Sequence, residues 1–135
     1  MPELPREIEV LVEVPRGGRV KRRSDGRFGY LSPFASPFNY GCVPGTTAPD
    51  GEPLDALVLG PALPRGTVRR WPVHGVVRFL DAGLVDDKLV CGPEPPTAAD
   101  LAAIDRFFRR YALVKAAIGR WRGAGPTRFL GWERR

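Results

Sequence analysis

A small β-barrel or curled sheet with a flanking helix is the architecture this chain predicts, and three observations carry it. Short apolar runs punctuated by Gly, Pro and Asn fill the first two thirds of the sequence. One of them, IEVLVEVP, alternates with period two, and after a proline pair a helical apolar period takes over. About five strands followed by one helix is the pattern of a barrel or curled sheet with a helix packed outside.

The first strand places Ile8, Val10, Val12 and Val14 on one face and Glu9, Leu11 and Glu13 on the other, and Pro15 with the following glycines ends it. GRFGYLS, NYGCVPGT and LDALVLG are the next short pieces. GTVRRWPVHGVVRFLDAG reads as a longer strand that turns near Asp81 to Gly83, and DKLVCG as its return. The prolines of GPEPPTAAD break that pattern. Thr97 with Asp100 three residues on is placed as a capping box. Leu101, Ile104, Phe107, Phe108, Tyr111 and Val114 then mark a helix with one face on the sheet. The terminal GAGPTRFLGWERR is expected to cover a sheet edge or an interface.

The 135 residues suit one domain, 1–135, with 43% hydrophobic and 27% charged side chains. No run approaches the roughly 18 apolar residues of a membrane span, and the first ten residues carry no apolar segment of a secretory signal. Cys42 and Cys91 form no metal-ligand spacing and read as free thiols of a cytoplasmic protein. The net charge of +6 rests on 18 Arg and 3 Lys, which points to anionic partners and makes each lysine informative as a compact point charge.

Two acidic groups stand out. DGEPLDALV crowds Asp50, Glu52 and Asp55 at the mouth of a strand, and DAGLVDDK brings Asp81, Asp86 and Asp87 to a turn with Lys88. Like charges at this density repel unless a cation sits among them. On a strand Asp86 and Lys88 would share a face while Asp87 points away. Carboxylates without His or Cys suit Mg²⁺ or Mn²⁺ together with a phosphate. Taken alone, the second group reads more often as a solvated hairpin turn and the first at least as often as a turn feeding a strand, and His74, beside Gly75, reads as a packing residue.

VEVP, PFNYG, DGEPLDALV, HGVVRFLDAGLVDDK and FFRRY, in this order, resemble the motifs of the soluble family I inorganic pyrophosphatases over residues 10 to about 115. The resemblance implies a five-stranded OB-like closed barrel, mainly β, with one or two helices packed outside and the site at the barrel mouth. It implies Mg²⁺-dependent hydrolysis of pyrophosphate, with Mn²⁺ as a possible substitute. Asp50, Asp55, Asp81 and Asp86 match the family's ion ligands. Lys21, Tyr40, Lys88 and Tyr111 match phosphate contacts, and Glu13 a supporting glutamate. Glu52 stands where the family has the aspartate that accepts the water's proton. A homo-oligomer is the expected assembly.

Several positions depart from the family pattern. Arg23 replaces a glutamate, Phe28 an arginine, Ser36 a tyrosine, Ala82 a glutamate and Ala112 a lysine. Arg23, Arg27 and Lys115, one helical turn beyond Tyr111, are the candidate replacements for the lost contacts, and restoring a lysine at 112 is expected to add rate. The expected outcome is slow hydrolysis of pyrophosphate. The alternatives are a phosphate-binding pseudoenzyme or a hydrolase of another phosphoanhydride. Arg69, Arg70 and Trp71 with the basic balance raise a nucleic-acid module as a third reading, but it leaves the acidic groups unexplained, since they would repel a polyanion.

Overall fold

The computed structural model describes residues 4–22, 28–31, 34–121, 123 and 125–135, the side chains of 20–22, 28–31 and 119–121 excepted. β1 (Glu7–Val14) buries Ile8, Val10, Val12 and Val14 and exposes Glu7 and Glu9, as the alternation predicts. The alternation fails at Glu13, which is buried as well. On the neighbouring strand β4 (Asn39–Val43), Gly41 faces Val12 and Tyr40 faces Val14, so Glu13 is the extra residue of a bulge. A bulged residue leaves the regular two-residue period, and its side chain turns with it. Gly41 allows the close approach: a Cβ there would overlap the Leu11 carbonyl.

Five strands close into a ring. β1 pairs antiparallel with β4 and with β6 (Val68–Asp81), and β4 pairs antiparallel with β5 (Leu54–Val58). β5 lies parallel to β8 (Lys88–Cys91), which returns antiparallel to β6. The 14 residues of β6 let one strand serve both neighbours, its N-terminal half on β1 and its middle on β8. The expected closed barrel is therefore present.

The expectation of about five strands undercounts the chain, because short pairings are invisible to periodicity. β2 (Val20–Arg22) and β3 (Phe28–Leu31) form a separate two-stranded ribbon. β7 (Leu84–Val85) folds back on β6 across a tight turn. The C-terminal segment forms β9 (Arg128–Arg134) and covers the remaining edge of β6.

Two apolar clusters result. Ile8, Val10, Val43, Ala56, Val58, Trp71, Val76 and Leu89 come from all five ring strands and fill the ring. Val14, Phe38, Leu57, Val77, Phe79 and Val90 point the other way and meet Ile104 and Phe108 of α1 (Ala98–Trp121). β5 and β8 thus bury both faces, as parallel neighbours under a helix do. The helix begins as expected: Thr97 N–H donates to Asp100 Oδ2 at 2.9 Å and Asp100 N–H to Thr97 Oγ1 at 3.1 Å, a reciprocal cap with aspartate in place of glutamate. His74 packs as expected, its Nε2 2.9 Å from the Gly92 carbonyl.

Candidate active site

The parallel register of β5 and β8 sets Asp55 directly beside Lys88. Lys88 Nζ lies 2.8 Å from Asp55 Oδ2 and 2.8 Å from Asp86 Oδ2, with only 1% of the lysine exposed. Asp86 precedes β8 rather than lying on it, so the two-residue spacing works here from a loop anchored by the Asp86 amide on the Phe79 carbonyl. Tyr40, from β4, donates its hydroxyl to Asp55 Oδ2 at 2.8 Å. Asp87 points away, as expected, and accepts from Arg78 and from the Phe79 amide.

Charge explains how an ammonium is held in the core. Burial alone would lower the Lys88 pKa, but Asp55 and Asp86 outweigh it and hold the ammonium above its usual value. Burial likewise lifts the Asp86 carboxyl above the ordinary range. Lys88 pulls it down, while Asp55 and Asp50 push it up again. Asp50 is therefore near enough to be felt. It lies exposed in the preceding turn, where its Oδ1 accepts from the Glu52 amide at 2.9 Å. Glu52 is exposed at the same turn.

Asp81 ends β6 at a second corner. Its Oδ2 accepts from Lys115 Nζ at 2.7 Å, and its Oδ1 lies 3.5 Å from Thr127 Oγ1. Lys115 therefore reaches a carboxylate, a partner that the sequence reading did not anticipate. The two corners are joined by rings: Lys88 Nζ is 5.4 Å from the Phe79 centroid, Phe79 is 5.7 Å from Tyr111, and Lys115 Nζ is 5.4 Å from Tyr111. One wall of aromatic side chains thus carries an ammonium at each end.

A small cavity of about 20 Å³ opens beside this wall, lined by Tyr40, Tyr111, Ser36, Val14, Phe107 and Arg19 among others. Arg19 escaped the sequence reading because arginine is the default cation of this chain and carries no local signal. Thr127 escaped it because only the fold brings residue 127 to residue 81. Ser36 turns its hydroxyl to the Phe38 carbonyl. Ala112 is buried in the cluster of Phe79 and Phe108. A lysine there would have to bring its ammonium out of an apolar cluster to reach a phosphate, which sets a stability cost against the expected gain in rate. Glu13 is buried at the end of β1, next to Val14 of the cavity wall. Arg23 and Arg27 lie outside the described residues, and so does the side chain of Lys21, whose backbone pairs with Tyr30.

Among the described residues no three acidic, His or Cys side chains lie close enough to enclose one ion. Lys88 spans Asp55 and Asp86 there, and Lys115 pairs with Asp81. The donor chemistry nevertheless fits a hard divalent cation: Asp50, Asp55, Asp81 and Asp86 offer oxygen alone, and Asp50 and Asp55 both add negative charge at Asp86.

The sequence profile of the family described as inorganic pyrophosphatase matches residues 10–124. The inorganic pyrophosphatase of Gluconobacter oxydans is 35% identical over 132 residues, covering 81% of this chain and 76% of its own. Soluble inorganic pyrophosphatase 2 of Chlamydomonas reinhardtii is 37% identical, over 81% of this chain and 67% of its own. Among solved structures, an inorganic pyrophosphatase from Coxiella burnetii superposes with a TM-score of 0.77 at 28% identity, over 96% of this chain and 86% of that one.

Proposed function

The chain belongs to the inorganic pyrophosphatase family, and on that premise we propose that it hydrolyses inorganic pyrophosphate to two phosphates at the corner built by Tyr40, Asp55, Asp86 and Lys88. The single observation that carries the reading is this convergence: three ring strands and one loop link a phenol, two carboxylates and a buried ammonium through three contacts of 2.8 Å, Tyr40 to Asp55 and Lys88 to Asp55 and Asp86. The family is metal-dependent. Mg²⁺ is the ion proposed here, with Mn²⁺ as the alternative, and Asp50, Asp55, Asp81 and Asp86 are proposed to hold it. When bound, the ion supplies Lewis-acid activation of water and neutralisation of phosphate charge.

The chain's own residues do the remaining work. Lys88 keeps Asp55 and Asp86 apart at a fixed spacing and lends positive potential to an incoming phosphate. The Tyr40 hydroxyl orients Asp55. Glu52 is proposed to accept the proton of the attacking water, from the exposed turn that Asp50 braces. Tyr111, Arg19, Lys115 and Lys21, with Arg23 and Arg27, are proposed to contact phosphate oxygens, and Glu13 to support Tyr40's end of the site. Phosphoryl transfer to water needs little beyond such positioning and charge stabilisation.

A single domain spanning 1–135 and a homo-oligomeric assembly are proposed as well. Leu113 on α1 and Leu130 on β9, 73% and 59% exposed, support the latter. Among the described residues no helix is long and apolar enough to cross a membrane. Cytoplasmic location is proposed from the two buried free thiols.

The test is phosphate release from pyrophosphate and from a nucleotide panel, with Mg²⁺ and with Mn²⁺, beside an Asp55→Asn control. Metal-dependent release from pyrophosphate that the control loses is the expected result. Binding of pyrophosphate without turnover would move the reading to a phosphate-binding protein on this fold.

A further inference from the structure

Two lysines sit on candidate ion ligands, and they are held very differently. Lys88 is 1% exposed, spans two carboxylates and lies against Phe79. Removing such a charge strands buried carboxylates, so the pair is fixed. Lys115 is 39% exposed, has one carboxylate partner that is 24% exposed, and lies 5.4 Å from the Tyr111 ring centroid. Ion pairs this open to water are weak and exchangeable. On its other side, Asp81 Oδ1 lies 3.5 Å from Thr127 Oγ1, which accepts from the Ala82 amide at 3.0 Å.

We propose that Lys115 is an internal counter-cation that competes with the divalent ion for Asp81, so that one lysine–aspartate pair sets the ion affinity at that carboxylate. The inference rests on Asp81 being an ion ligand. An ammonium 2.7 Å from Oδ2 draws on the same negative charge that an ion held by Asp81 would use. Loading would then compete with the pair, and the affinity would be lowered by up to what the pair is worth. Displaced, the ammonium is released beside the ring of Tyr111, a residue that also lines the cavity. Asp55 and Asp86 instead share the buried Lys88.

The experiment is calorimetric titration of Mg²⁺ and Mn²⁺ into the protein without pyrophosphate. The variants are Lys115→Met, Lys115→Gln, Asp81→Asn and the Asp81→Asn/Lys115→Met double. Both lysine variants should bind the ion about two- to fivefold more tightly, the range an exposed pair can contribute. In the Asp81→Asn background the same lysine change should do almost nothing. An unchanged affinity in both lysine variants, or an equal gain in the Asp81→Asn background, overturns the proposal; the second result would mean general repulsion rather than competition at Asp81. If Asp81→Asn alone leaves ion binding as in the parent, Asp81 is not a ligand and the reading beneath the proposal falls with it.

Discussion

Asp55 and Lys88 are Cα partners across the parallel pairing of β5 with β8, and their side chains meet at 2.8 Å. Strands joined in parallel need a long crossover, and this one runs through the whole of β6 and its turn. The crossover is what carries Asp81 and Asp86 to the same end of the ring as Asp55. The site is thus a consequence of the topology as much as of the motif.

Lys88→Met should destabilise the protein by about 3–5 kcal/mol, because it leaves Asp55 and Asp86 facing each other in a largely buried place. Added Mg²⁺ should restore part of that loss. Lys88→Arg keeps the charge, but the guanidinium does not fit a slot that is 1% open. At least about a tenfold loss in kcat/KM is expected for it. Urea melts with and without Mg²⁺, and steady-state kinetics, decide both.

Asp55→Asn should abolish stabilisation by Mg²⁺ or Mn²⁺. An ion that binds only the folded chain adds about 2.7 kcal/mol at 100-fold excess over Kd. The melting shift on adding the ion measures this directly, and a shift equal to that of the parent would remove Asp55 from the ion site.

Turnover should be slow while binding is retained. Ser36 and Ala112 are engaged with the fold rather than with a ligand, and losing one electrostatic donor can cost about 10²- to 10³-fold. Arg19 borders the cavity with Tyr40 and Tyr111 and is exposed. Arg19→Ala should therefore raise KM about tenfold with an unchanged melting temperature. A parent rate matching that of family members without these departures would show that they are already compensated.

Alkaline pH should erode stability through Cys91. Burial pushes its thiol from 9.0 up to about 12, with Sγ donating to the Leu57 carbonyl at 3.3 Å. Below pH 9 both folded and unfolded chains keep the proton, so the thiol's contribution is fully present. Between about 9 and 12 only the unfolded chain loses its proton, and the contribution declines. Denaturation of the parent and of Cys91→Ala at pH 8 and pH 10.5 isolates the effect, which should appear as a stability difference that moves against the parent as pH rises. The folded thiol should also resist alkylation at pH 8.

The turn after Asp81 is strained at one residue. Ala82 has φ 51° and Gly83 φ 85°, the pair of left-handed residues of a two-residue hairpin. Alanine pays roughly 1–2 kcal/mol for that conformation. Ala82→Asn should therefore raise stability by roughly 1 kcal/mol, seen as a higher Tm, and Gly83→Ala should lower it. A lower Tm for Ala82→Asn would show that alanine is accommodated there without strain.

Much of this was legible in the residues alone. The strand period of Ile8 to Val14, the Thr97–Asp100 cap, the apolar stripe from Leu101 to Val114 and the turn at Asp81 to Gly83 all depend on neighbours a few residues apart, and local sterics decide them. The two acidic groups were likewise visible as charge too dense to stand without a cation. What that cation is in the folded chain was not visible. Lys88 could be paired with Asp86 by spacing, but its contact with Asp55 exists only because β5 and β8 lie parallel and in register. Lys115 shows the limit most clearly. Helical spacing sets it beside Tyr111, yet its bond to Asp81, 34 residues away in sequence, depends on how α1 packs over the end of β6. Glu13 turned inward because a bulge on β1 broke a period that its own sequence does not interrupt. Periodicity reports which face a residue takes within one element, while contacts between elements are set by register and packing, and there the tertiary structure alone decides.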